Sequence, residues 1–231
     1  MMKQAMRRLT AEFFGTFALV FAGTGAIIIN EVSGGTVSHV GIALTFGLIV
    51  LAMVYALGEV SGCHLNPAVT LGFFVARRFN GWWVGPYLAS QLLGAILASA
   101  TLRLMFPTNS TLGATLPAGD PLQSFVLEFI LTLILMFVIL SVSTGSKEKG
   151  MLAGVAVGSV IALEALFAGP ISGASMNPAR SLAPALVSMR FDSLWIYLLA
   201  PIFGACVSVF VCRCVQQPGC CGCEPSKDDC S

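Results

Sequence analysis

The stretch Ser61-Gly62-Cys63-His64-Leu65-Asn66-Pro67-Ala68-Val69-Thr70 returns later in the chain as Ser172-Gly173-Ala174-Ser175-Met176-Asn177-Pro178-Ala179-Arg180-Ser181. Asparagine is a preferred helix N-cap and proline a preferred first helical residue, so each Asn-Pro is a local instruction to start a helix. The segments they start are apolar but short: Pro67–Val75 and Pro178–Val187 cover roughly 15 Å each. That is about half a hydrocarbon layer, so both segments read as re-entrant half-helices. A polar triplet set twice into an apolar chain is costly in lipid unless it faces a lumen.

Working outward, 56% of the residues are hydrophobic and 10% are charged, with a mean hydropathy of +0.88. A soluble domain carries roughly 25% charged residues, so the composition is that of an integral membrane protein. A formal net charge of +1 and the lack of a basic face exclude nucleic acid as a partner. No nucleophile–base set or nucleotide loop is evident, which argues against an enzyme, and neither a cofactor nor a metal is expected. The basic start, Met1 to Thr10, precedes an apolar stretch without a small-residue cleavage site, which reads as a retained span.

Six apolar runs are long enough to cross a bilayer: Leu9–Ile29, Val40–Leu57, Trp82–Met105, Leu122–Val142, Gly150–Ala168 and Leu194–Val211. Glu12-Phe13 and Glu128-Phe129 each stand early in such a run, with Thr16 and Thr132 three positions after the phenylalanines. They lie 54 and 49 positions before their respective asparagines. Three spans per half is an odd number, so the second half enters from the opposite side as an inverted repeat. The expected fold is an all-α membrane protein of six spans and two half-helices. It forms a single channel domain over 1–231, with repeats at about 9–105 and 122–212 and a cysteine-rich tail at 213–231.

Lys3, Arg7, Arg8, Arg77, Arg78, Lys147, Lys149, Arg213 and Lys227 fall on one side of this topology, against Arg103 and Arg190 on the other. The bias places both termini in the cytoplasm. The tail cysteines, Cys212, Cys214, Cys220, Cys221, Cys223 and Cys230, would then be reduced thiols. Palmitoylation, binding of a soft ion and a plain unstructured tail are three readings of that cluster. Gly81-x-x-x-Gly85 and Gly154-x-x-x-Gly158 set small residues one turn apart for close helix crossings.

Capping uses the amide oxygen of Asn66 or Asn177 and leaves the NH2 group as a donor toward a lumen. Two such donors face the oxygen of a passing water or alcohol. Two half-helices pointing their positive ends at the centre oppose cations and protons there. One Asn-Pro-Ala alone would be a turn; two before half-length helices in inverted halves are a pore signature.

These two loops resemble the signature loops of the major intrinsic protein family, the aquaporins and aquaglyceroporins, over about residues 9–212. The resemblance implies a six-helix hourglass, assembled as a homotetramer with one pore per subunit. It also implies a constriction at Phe46, Ala165, Ala174 and Arg180, which match the family's filter positions 20 before the first asparagine, 12 and 3 before the second, and 3 after it. Water-restricted members carry histidine where this chain has Ala165. The segment from Phe167 to Met176 is similar to the nodulin-like intrinsic proteins, known for glycerol and metalloid acids. Those members often have tryptophan where Phe46 stands. Ser181 and Ala185 look like the water-type pattern, and Tyr197-Leu198 lean toward the glycerol type.

Glu12 and Glu128 carry two readings, a proton relay or carboxylates that hold loop backbone, and the family's matching glutamates favour the second. Glu59 reads as a solvated acid and Glu164 as a buried, loop-holding one. His64 reads as a pore-side hydrogen-bonding residue, since His39 is too distant to share a metal. Cys63 stands where the family more often has alanine; it is a small buried hydrophobe or, if it lines the pore, a target for thiol reagents. The expected function is a passive channel in a cell membrane, plasma or inner. It would pass water, glycerol and other small neutral solutes, with boric and arsenous acid as further candidates, and exclude ions and protons. An ion-coupled transporter with broken helices and an occluded structural membrane protein are the alternatives.

Overall fold

The computed structural model describes residues 2–143 and 151–215. Eight α-helices form among them: α1 (Met2–Val32), α2 (Ser38–Ser61), α3 (Pro67–Val75), α4 (Val84–Met105), α5 (Pro121–Val142), α6 (Ala153–Ser172), α7 (Pro178–Ser188) and α8 (Leu194–Val215). A single 3-10 turn, Gly81–Trp83, leads into α4. Six of the helices are long and apolar enough to cross a membrane, and α3 and α7 are the two short ones. The half-helix α3 begins and ends where the Asn-Pro signal and the run of apolar residues place it. α6 runs on to Ser172 although Pro170 lies inside it, and ends at Gly173 in the left-handed conformation (φ 84°). α2 ends in the same way at Gly62 (φ 85°), a conformation that glycine adopts without a Cβ penalty.

The two halves repeat each other and interlock. α1 packs on α4 as α5 packs on α8, and α1 on α2 as α5 on α6. The half-helices cross over: α3 lies against α8 and α7 against α4, while α3 and α7 also touch. The core residues Leu19, Val50, Leu65, Leu131, Val157 and Met176 come from both halves and form one cluster around the meeting point.

Glycines at the crossings explain how closely the helices approach. A Cβ on Gly94 would lie 2.2 Å from the Phe13 carbonyl oxygen, and one on Gly204 2.3 Å from that of Phe129. These are matching contacts of α4 on α1 and α8 on α5. Gly47 and Gly158 meet in the same manner, 2.5 Å and 2.6 Å from each other's carbonyl oxygens. The Gly154/Gly158 pair therefore serves a close crossing. Gly81 and Gly85 do not: Gly85 has open space beside it, and Gly81 faces the side chain of Phe74. Gly94→Val should destabilise the fold by about 2 kcal/mol or more, because backbone cannot yield to the added side chain. Gly85→Ala should leave thermal stability in detergent unchanged.

Candidate functional site: a pore between two half-helices

Asn66 is the N-cap of α3, its Oδ1 accepting from the Ala68 N–H at 2.8 Å. Asn177 caps α7, accepting from Ala179 N–H at 3.0 Å and Arg180 N–H at 3.3 Å. Pro67 and Pro178 occupy the first helical positions, and Ala68 and Ala179 are fully buried behind them. The free amide groups then cross over. Asn66 Nδ2 donates to the Met176 carbonyl at 2.7 Å, and Asn177 Nδ2 to the Leu65 carbonyl at 2.9 Å. Each amide thus spends one hydrogen on the opposite loop, which pins the two helix starts together and leaves the second hydrogen for the lumen. This reciprocal clamp goes beyond two asparagines merely facing each other.

The loops that carry these carbonyls are strained in the same way. Cys63 (φ 50°) and Leu65 (φ 50°) match Ala174 (φ 42°) and Met176 (φ 53°), all in the left-handed region. Such conformations cost of order 1–3 kcal/mol each and persist only when the surroundings hold them. Two buried carboxylates do so. Glu12 accepts from Ser61 Oγ (2.7 Å), His64 N–H (2.9 Å), Leu65 N–H (2.8 Å) and Gln91 Nε2 (2.8 Å). Glu128 accepts from Ser172 Oγ (2.7 Å), Ser175 N–H (2.9 Å) and Met176 N–H (2.8 Å). Tyr87 and Tyr197 complete the symmetry by donating to the Ser61 and Ser172 carbonyls at 2.8 Å and 2.7 Å.

His64 lies against Phe73, with its ring stacked at 4.7 Å, and beside Phe79 and Tyr87. Its Nδ1 is 3.1 Å from Thr70 Oγ1. That hydroxyl donates to the Asn66 carbonyl and accepts from Gln91 Nε2, so His64 Nδ1 must carry the proton in their shared bond. In the second half Ser175 and Ser181 stand where His64 and Thr70 do, and they bond to each other.

Arg180, 1% exposed, is held from the α4–α5 connection. Its Nη1 donates to the Gly113 carbonyl at 2.8 Å, and its Cζ sits 5.2 Å from the centre of the Phe46 ring. Gly113 (φ +67°) is wedged against Thr24, and Thr115 Oγ1 donates to Ser181 Oγ at 2.8 Å. Phe46 itself seats against Gly23, where a Cβ would clash with the ring.

Several of these groups border a cavity of about 890 Å³, counted with the solvent-open space at its edge. Phe46, Ala165, Ala174 and Arg180 line it together with Asn66, Asn177, Cys63 and His64. It continues past Phe73 and Ile139 to Val142, Ser143 and Ala153. Along α6 the lining residues Ala153, Val157, Ile161 and Ala165 recur every fourth position, a stripe of about 18 Å. The walls are mostly apolar. Among the described residues, no aspartate, glutamate or lysine borders the cavity, and Arg180 is its charged side chain.

The remaining sequence expectations fare differently. Glu164 is 1% exposed, but neither of its oxygens has a hydrogen-bond partner among the described residues. It does not hold the loop; Glu128 already takes those donors. Glu59 is exposed. Cys212 is buried inside α8 and Cys214 is exposed, since positions two apart on a helix face opposite ways. They therefore cannot share one ligand. Lys147, Lys149, Lys227, Cys220, Cys221, Cys223 and Cys230 lie outside the described residues. Sequence reasoning missed Tyr87, Gln91 and Gly113, and it read Tyr197 for solute type rather than as a donor to the Ser172 carbonyl.

The model of the major intrinsic protein family matches residues 1–212. The chain is 52% identical over 201 residues to aquaporin NIP1-1 of Oryza sativa subsp. japonica, covering 87% of this chain and 71% of that protein. It is 46% identical to nodulin-26 of Glycine max, covering 91% of this chain and 78% of the relative. Its fold matches the X-ray structure of the aquaglyceroporin from Plasmodium falciparum with a TM-score of 0.81 and 27% identity, over 89% of this chain and 94% of that one. With the paired capped half-helices and the cavity beside them, these likenesses establish that the chain is a multi-pass membrane channel for water and small solutes, belonging to the major intrinsic protein family.

Proposed function

We propose that the channel passes glycerol and similar small neutral solutes along with water, with boric and arsenous acid among them, and excludes ions and protons. The observation that carries this is the composition of the constriction. Ala165 and Ala174 face the cavity together with Phe46 and Arg180. Two methyl groups leave width for a three-carbon solute, the aromatic ring receives its carbon edge, and the guanidinium donates to its hydroxyls. The relative described as an aquaglyceroporin and the nodulin-26 likeness support the same reading. Exclusion of cations rests on Arg180 and on the two helix starts directed at the centre.

The loops are held by Glu12 and Glu128 as structural carboxylates, which do not border the cavity. That disfavours an ion-coupled transporter, which needs a coupling acid in the passage. The channel is read as one domain over 1–231 that works as a homotetramer in a cell membrane, with both termini cytoplasmic. Stopped-flow light scattering on reconstituted vesicles tests the proposal. An outward osmotic gradient should give rapid shrinkage and then re-swelling when glycerol is the external solute. Shrinkage without re-swelling would restrict the channel to water.

A further inference from the structure

We propose that His39 is a positioning residue that sets the width of the constriction, by clasping α2 to α6 through a carbonyl that Pro170 leaves open. In a regular helix the N–H of residue 170 would donate to the carbonyl of residue 166, and proline has no N–H to give. His39 Nε2 lies 2.7 Å from that Leu166 carbonyl oxygen and donates to it. Gly169 provides the seat, since a Cβ there would come within 2.8 Å of His39 Cε1. Two helices thus build one socket: an orphaned acceptor and the space for a ring on α6, and the donor that fills them on α2.

The clasp bears directly on the pore. Leu166 comes immediately after Ala165, and Phe46 lies about two turns beyond His39 on α2. The same two helices are fixed a second time at the Gly47–Gly158 contact. Phe46 and Ala165 therefore project into the cavity between two points at which their helices are tied. Releasing the outer tie lets the helix ends part and widens the ring they line, without touching either lining side chain. Nothing in the Asn66/Asn177 clamp or in the Glu12 and Glu128 bonds depends on it.

This inference rests on the channel reading above, and its test separates the two. Vesicles carrying wild type, His39→Ala, His39→Gln and Gly169→Ala are compared for glycerol and for the four-carbon polyol erythritol, with water permeability recorded on the same vesicles. In His39→Ala the erythritol-to-glycerol ratio should rise about threefold, the order expected from one net hydrogen bond. His39→Gln, whose amide donates from a similar position, should keep the wild-type ratio. Gly169→Ala, which displaces the ring, should raise the ratio as His39→Ala does. A change confined to protein yield, with the ratio unchanged in both His39→Ala and Gly169→Ala, would overturn the role. If His39→Ala cannot be reconstituted, Gly169→Ala against His39→Gln decides alone, and equal ratios for those two would overturn it. A wild type that conducts neither polyol would instead defeat the channel reading.

Discussion

Replacing Ala165 with histidine should lower glycerol permeability by about tenfold while reducing water permeability by less than about threefold. Ala165 lines the cavity together with Phe46 and Arg180. An imidazole at that point fills the width that two alanines leave and adds a polar group beside the guanidinium. Forcing a solute past an overfilled contact costs about 1–3 kcal/mol, and each step of about 1.4 kcal/mol is a factor of ten in rate. Water, being smaller, escapes most of that penalty. Stopped-flow measurement of both solutes on one vesicle preparation checks the outcome. Equal losses for water and glycerol would mean that Ala165 does not set the width.

The second large effect is expected at the loop-holding acids. Glu12→Ala removes the acceptor of four hydrogen bonds, from Ser61, His64, Leu65 and Gln91. Their donors then stand buried, and each unsatisfied group costs about 1–3 kcal/mol. The strained residues Cys63 and Leu65 also lose what holds them in the left-handed region. The fold should lose about 4 kcal/mol or more, equivalent to roughly 10 °C in melting temperature for a chain of this size. Glu128→Ala should act comparably, through Ser172, Ser175 and Met176. Melting of the purified channel in detergent, monitored by near-UV circular dichroism, measures both. A proton-relay role would instead leave stability intact and alter proton leak.

Much of this architecture is visible in the chain because its signals are local. Asn-Pro starts a helix through its own side chain and its own ring, so both half-helices are legible at Asn66-Pro67 and Asn177-Pro178 within a residue or two. Apolar run length does the same for the spans, and the matching Glu-Phe pairs expose the repeat. What the chain hides are contacts between distant positions. Tyr87 reaches Ser61 and Tyr197 reaches Ser172, but neither tyrosine differs in sequence from one that faces lipid. Gly94 and Gly204 are buried against carbonyls and look no different from Gly85, which meets nothing. Small-residue spacing marks what a helix permits, and the neighbouring helix decides whether the space is used. Glu164 shows the reverse limit. An acid in an apolar run suggests a partner, yet the loop donors go to Glu128, and neither Glu164 oxygen has a hydrogen-bond partner among the described residues.

Two capped half-helices are tied through Asn66 and Asn177, and on the proposed function the passage beside them should admit neutral solutes and exclude charge. Solute flux and membrane current recorded together on the same reconstituted bilayers test this most directly. Water and glycerol fluxes should scale with the number of channels, while the current stays at the level of a protein-free bilayer. An ionic or proton current that rises with channel number, at a rate comparable to solute flux, would contradict it.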